Sequence, residues 1–173
     1  MRLFFALWPP ASVAQALAGQ AAMLAKRFGG RATRRETIHL TLAFLGDAEE
    51  AQLPAVLDVA REVKATPFEL TVDRLGFWRH NRLIWVGGAS PPPELQALAD
   101  ALRERLLAAS LPCDASQSFV PHFTLVRKVG DSHPALPEPA PMNWECDRFV
   151  LVRSQLGTSG AGYATVAEFP LAG

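Results

Sequence analysis

The 173-residue chain is short of cysteine (two), tyrosine (one) and histidine (four), and it has no charge of either sign to spare, with 17 basic residues against 17 acidic ones. Each scarcity removes a class of protein. Cys113 and Cys146 stand far apart, without a C-x-x-C or metal-ligand spacing, which excludes a disulfide framework or a zinc ribbon and fits reduced thiols in a cytoplasmic protein. Zero net charge gives no global field toward nucleic acid or anionic membrane, so any polyanion must be met by a local cluster. No uninterrupted apolar run approaches the roughly 18 residues that cross a bilayer. The opening run Leu3 to Trp8 is halted by Pro9-Pro10 and reads as mature sequence rather than a signal peptide. The expectation is a soluble, cytoplasmic protein with no membrane contact.

What the chain does have is apolar material, 49% of its residues, enough for one globular domain over 1–173 without a metal or disulfide. The pattern alternates strands and helices. Arg2 to Trp8 reads as a strand, then Val13 to Phe28 as a helix with Ser12 as its cap and Gly29-Gly30 as its stop. His39 to Leu45 is the next strand, and Glu49 to Lys64 a helix that tolerates Pro54 in its first turn. Phe68 to Leu75 and Arg82 to Val86 read as a strand pair joined through GFWRHN. Glu94 to Ala109 reads as a helix and Phe119 to Val126 as a strand. After a Pro-rich loop from Ser132 to Pro141, two closing strands, Arg148 to Leu156 and Tyr163 to Phe169, flank the turn GTSGAG.

One phrase occurs twice: HLTLAFLG begins at His39 and HFTLVRKV at His122, nearly half the chain apart. Strand geometry gives the phrase meaning, because side chains two apart share a face. His39 with Thr41, and His122 with Thr124, would each present an imidazole beside a hydroxyl, backed by buried Leu and Phe. Two such strands facing one groove would offer an acid, a base and two hydroxyl donors to one ligand. A phosphodiester needs that set. The repetition also predicts two lobes of similar build.

Chance is a poor explanation of the pair: with eight threonines in the chain, two of four histidines acquire Thr at +2 in roughly one sequence in a hundred. A lone strand histidine is ordinarily structural, and His80 and His133, in loops, read as surface residues. Two histidines without a third ligand make a poor zinc site, so no metal and no cofactor are expected. Around the pair, Arg127 would complement phosphate charge, but strict alternation puts it on the face opposite His122 unless the strand ends or bulges there. GFWRHNR interleaves Phe77 and Trp78 with Arg79 and Arg82, a surface on which a base could stack, or else a hairpin turn with one aromatic in the core. Arg31, Arg34 and Arg35 form either a basic rim or a solvated loop. Phe44 and Trp85 are assigned to the core.

HLTLAFLG together with PHFTLVR resembles the two-histidine phosphoesterase superfamily. RLFFALWPP, DRLGFWRHNRLIWVG and SQLGTSGAGYATVAEFPL are similar to its RNA 2′,3′-cyclic phosphodiesterase family, also called 2′-5′ RNA ligases, over essentially the whole chain. Glu36-Thr37-Ile38 and Phe123 depart from the usual residues at their positions. The resemblance implies an α+β fold of two pseudo-twofold lobes, each an antiparallel-type sheet with helices on its outer side, and an active-site cleft between them. It implies His39 as proton donor, His122 as proton acceptor, Thr41 and Thr124 on the phosphate oxygens, and no metal; spacing does not settle which histidine plays which part. The expected partner is an RNA ending in a 2′,3′-cyclic phosphate, tRNA-like fragments included, acted on by a monomer without an obligate protein partner. Ligation is the reverse direction. Two other functions fit the residues: a two-histidine enzyme for a cyclic nucleotide or an ADP-ribose cyclic phosphate, and a non-catalytic RNA-end-binding module.

Overall fold

The structure, a computed structural model, describes residues 1–157 and 160–172. In chain order the elements are β1 (Arg2–Leu7), α1 (Ala11–Phe28), β2 (Arg31–Ala32), β3 (Leu40–Asp47), α2 (Leu53–Glu62), β4 (Phe68–Val72), β5 (Arg74–Trp78), β6 (Leu83–Gly87), α3 (Pro93–Ala108), β7 (Phe123–Arg127), β8 (Met142–Cys146), β9 (Arg148–Gly157) and β10 (Gly160–Pro170). The main sheet runs β10-β9-β1-β3-β7-β6-β5, with β2 added beside β7 and a separate β4-β8 ribbon. Its pairs are antiparallel throughout.

At the centre, β3 and β7 are joined by a single ladder pair, Leu40 with Phe123. That seam divides the sheet into two halves. Each half contains the same unit, strand, helix, motif strand: β1-α1-β3 on one side and β6-α3-β7 on the other, with the strand before the helix paired to the one after it. The halves are tied together by an exchange of helices, since α1 packs on β7 and α3 packs on β3. Neither half can bury its own sheet face alone, so the fold closes only when both are present.

Local chemistry accounts for the helices. In α1 the buried residues Ala14, Leu17, Ala21, Leu24 and Phe28 recur at steps of three and four, which puts them on one stripe. Lys26 and Arg27 complement the dipole in its last turn, and Gly29, at φ 79°, ends it. Helix α3 repeats the device with Leu95, Leu98, Ala99, Leu102 and Leu106. Leu40 and Phe123, the seam pair, are 2% and 0% exposed, which places the junction inside the main core.

Several boundaries differ from the sequence reading. Ser12 caps nothing: the chain enters α1 at Pro10 without a side-chain cap, and Ser12 lies inside the helix. The stretch before Pro54 begins as a short 3-10 turn, Glu50–Gln52, with α2 starting at Leu53. The expected strand from Phe68 to Leu75 is two strands, β4 pairing with β8 and β5 pairing with β6. Strand β8 itself was not expected, because its alternation is short and follows prolines. The second motif strand starts at Phe123 rather than Phe119. At the centre of the GTSGAG turn, Thr158 and Ser159 lie outside the described residues. No helix among the described residues is long and apolar enough to cross a membrane.

Candidate active site

The two motif strands share one irregularity. Between Phe5 and Ala6 of β1, the partner in β3 jumps from Ala43 to Thr41, and between Ile84 and Trp85 of β6, the partner in β7 jumps from Val126 to Thr124. An extra residue, Leu42 in one strand and Leu125 in the other, is therefore accommodated at the same place in each motif, three residues after its histidine. Such a bulge resets the alternation of faces. Two consecutive residues are buried after each threonine, Leu42-Ala43 and Leu125-Val126, and the next ones, Phe44 and Arg127, return to the face of the threonine. This resolves the parity objection to Arg127 and corrects the assignment of Phe44, which is half-buried and lines the cleft.

Each histidine sits just ahead of its strand and is held in the same way. Nδ1 of His39 lies 2.7 Å from the Thr37 carbonyl, and Nδ1 of His122 lies 2.7 Å from the Val120 carbonyl. A carbonyl oxygen only accepts, so Nδ1–H must donate, and the neutral ring carries its free lone pair on Nε2. Nε2 of His39 lies 3.1 Å from Thr41 Oγ1, within the hydroxyl's reach. The antiparallel seam at Leu40 and Phe123 brings each motif's histidine next to the other's threonine, on one face.

Electrostatics separate the two rings from ordinary histidines. Burial pulls His39 down to about 4, against the raising effect of the Thr37 bond, with Arg127 and then His122 lowering it further. His39 is enclosed by Phe4 and Trp8, stacked at 4.8 and 5.2 Å between centroids, with the Tyr163 ring edge-on at 5.3 Å. His122 is also lowered, by burial first, opposed by its Val120 bond, and then by Arg127. Trp78 packs edge-on to it at 4.6 Å. Arg127 lines the same cavity as His39, and its positive charge disfavours protonation of both rings. Both imidazoles are neutral in the free protein at pH 7, and an anion between them would favour protonating one.

Two cavities meet at Thr41 and Phe44. One, of about 310 Å³, is lined by Arg2, Phe4, His39, Arg127, Ser154 and Tyr163; the other, of about 480 Å³, adds Trp78, His80, Asn81, Arg103, Asp114, Gln117, Ser118, Phe119, Val120 and His122. The arrangement suits an anionic centre with a nucleoside-sized recess at its side.

A curated protein from Escherichia coli strain K12, named RNA 2′,3′-cyclic phosphodiesterase, is 32% identical, the match covering 98% of this chain and 96% of that one. The chain belongs to the LigT-like phosphoesterase family. The family model itself, LigT like Phosphoesterase, matches residues 7–85. A protein of the same name from Thermus thermophilus is 30% identical over 100% of this chain and 91% of its own length. The fold agrees with the crystal structure of E. coli LigT complexed with 3′-AMP at a TM-score of 0.91 and 29% identity, covering 98% of this chain and 97% of that one.

In this phosphoesterase, the structure brings His39, Thr41, Trp78, His122 and Arg127 to the cleft walls, while Thr124 lines neither cavity and pairs with Trp85 of β6, next to the seam residue Phe123. Phe77 is not among them: it packs against the main core, the alternative left open for a hairpin aromatic. Arg34 and Arg35 line neither cavity. Arg35 pairs with Glu36 at 3.8 Å. The Arg34 carbonyl accepts from both N–H and Oγ1 of Thr37 and so steadies the residue whose carbonyl holds His39. Arg82 is tied to the Gly130 carbonyl at 2.8 Å and steadies the chain after β7. Gly30, at φ 108°, lets β2 pass the Arg127 carbonyl, where a Cβ would collide.

Sequence reasoning missed Phe4, Trp8 and Tyr163, which wrap His39, and it read His80 only as a surface residue although it reaches the larger cavity. The tyrosine is the chain's only one, a signal that its rarity could have supplied. Trp85 is buried, as assigned, with Gly76 leaving room for its ring. The thiol of Cys146 is buried and pushed up to about 12 by that burial, and both cysteines are free. Among the described residues, no three His, Cys, Asp or Glu side chains cluster as a metal site.

Proposed function

We propose that this phosphoesterase opens a 2′,3′-cyclic phosphate at the end of an RNA, leaving a 2′-phosphomonoester, by acid–base catalysis between His39 and His122 without a metal ion. The observation that carries the reading is the mirrored histidine geometry, in which each Nδ1 is committed to a carbonyl two residues back and each motif abuts the other across the Leu40–Phe123 seam. Water loses its proton to Nε2 of His122 and attacks phosphorus in line as the P–O3′ bond breaks. The leaving 3′-oxygen takes the proton of the His39 imidazolium. Charge gathers on the non-bridging oxygens, where Thr41, Thr124 and Arg127 donate to it. His39 is displaced further from its ordinary value than His122, which suits it to giving up a proton and His122 to taking one.

The names of the relatives support an RNA end as substrate, and tRNA-like fragments belong to that class. Residues 1–173 act as one unit, since each half-sheet supplies one histidine, and the reading places a monomer in the cytoplasm. The test is incubation of the purified protein, with and without EDTA, with an RNA carrying a 2′,3′-cyclic phosphate, and identification of the product end. A 2′-phosphate formed equally in both, and lost in His39→Ala and His122→Ala, is expected. Activity abolished by the chelator overturns the metal-free mechanism, and RNA-end binding without turnover overturns the enzyme reading.

A further inference from the structure

Arg2 opens β1 with its ladder partner Ser154 on β9, and Ser154 is in turn paired with Tyr163 on β10. Directly paired residues share a face of the sheet, so a guanidinium, a hydroxyl and a phenol form one polar row across three strands. On the same face Phe4, Ala6, Val150 and Val152 make a small apolar cluster, against which Phe44 and Tyr163 pack, while Thr41, Thr165 and Glu168 are the ladder partners of Ala6, Val152 and Val150. The row lines the 310 Å³ cavity together with His39, Thr41 and Arg127.

Among the described residues, neither Arg2 nor Arg127 has a carboxylate within ion-pair distance, although Asp47 is the ladder partner of Arg2 on its other side. The Arg2 guanidinium lies over the Phe44 ring, 5.4 Å from its centroid, which holds it at the cavity. One reacting phosphate is already served by two imidazoles, two threonines and Arg127. The donors of Arg2, Ser154 and Tyr163 are surplus to it and stand to one side.

We propose that this row is a second anion site, which takes the internucleotide phosphodiester on the 5′ side of the terminal nucleoside and so favours an RNA end over a free cyclic mononucleotide. The inference rests on the cyclic phosphodiesterase reading for its substrate. It identifies Arg2 as a specificity residue rather than a catalytic one.

The experiment compares kcat/KM on adenosine 2′,3′-cyclic phosphate with that on a diadenylate bearing the same cyclic end, for the natural protein, Arg2→Gln and Arg2→Lys. The natural protein should prefer the dinucleotide about tenfold or more, Arg2→Gln should collapse that ratio through KM, and Arg2→Lys, which keeps the charge, should retain part of it. A ratio unchanged in Arg2→Gln, or an equal loss on both substrates, overturns the subsite. A mononucleoside 5′-phosphate 2′,3′-cyclic phosphate processed as well as the dinucleotide shows that a terminal phosphate, not a diester, is the ligand, and overturns the assignment to RNA backbone. If the natural protein hydrolyses none of these, the functional reading fails by itself. The subsite is then judged by anisotropy of a fluorescent oligoadenylate, whose log–log salt slope should fall by about 0.7 in Arg2→Gln, one phosphate contact on a single strand; an unchanged slope overturns it.

Discussion

The His39 half and the His122 half of the sheet are built alike and finished differently. Both have the strand–helix–strand unit, the bulge at the same motif position and the carbonyl that fixes Nδ1. They part at the residue two after the bulge, where one half carries Phe44 and the other Arg127, and in what covers the imidazole. His39 is enclosed by Phe4, Trp8 and Tyr163, whereas among the described residues His122 meets one aromatic ring, the edge of Trp78. A duplicated frame thus supplies symmetry of position, and the unlike neighbours supply different proton affinities. Two identical histidines would compete for one role; two unequal ones can divide acid from base.

Breaking either half should have the largest effect. His39→Ala and His122→Ala are each expected to lower kcat by about 10³–10⁴-fold at the substrate's saturation. The pH profile of each should lose one limb and keep the other, and loss of the same limb in both would show that the halves are not divided as acid and base.

Next come the threonines. Thr41→Val and Thr124→Val should each cost about 10²-fold in kcat, as removal of one donor to a developing oxyanion does. Only Thr41 lies within reach of its own histidine's Nε2, so only Thr41→Val should also move the His39 limb.

The enclosure of His39 is checked by pH. Because His39 is lowered to about 4 and His122 is also lowered, kcat/KM of the natural protein should be bell-shaped with its optimum on the acid side of neutrality. Trp8→Ala, by admitting water to the ring, should raise the lower limb toward 6.5, readable from the imidazole resonances by NMR; a limb that stays in place argues against burial as the cause.

The smallest effect is on stability. A folded value of about 4 against 6.5 unfolded means the unfolded chain binds the extra proton between them. Stability is therefore full above pH 6.5 and falls as pH drops toward 4, by at most about 3 kcal/mol. His39→Asn should flatten that fall in urea titrations at successive pH values, while an unaltered fall assigns it to other groups.

Periodicity placed the three helices and most strands within a few residues, because buried stripes such as Leu95, Leu98, Leu102 and Leu106 are set by the pitch of the element itself. It could not place β8 or divide β4 from β5, since which partner a short strand takes depends on residues some 75 positions away. The same limit applies to the site. Alternation left Arg127 conditional on a bulge and gave Phe44 to the core, because a bulge is a property of two paired strands, invisible in either one.

The order of residues alone determined that two imidazoles, each with a hydroxyl at its side and apolar backing, recur on strand-forming segments, because side-chain direction along a strand is a local consequence of backbone geometry. Only the tertiary structure decided that the two meet at a single ladder pair, that Phe4, Trp8 and Tyr163 enclose one of them, and that Arg2, Ser154 and Tyr163 share a row. Those facts depend on contacts between distant segments, and it is such contacts that set desolvation, and with it the proton affinity on which the chemistry turns.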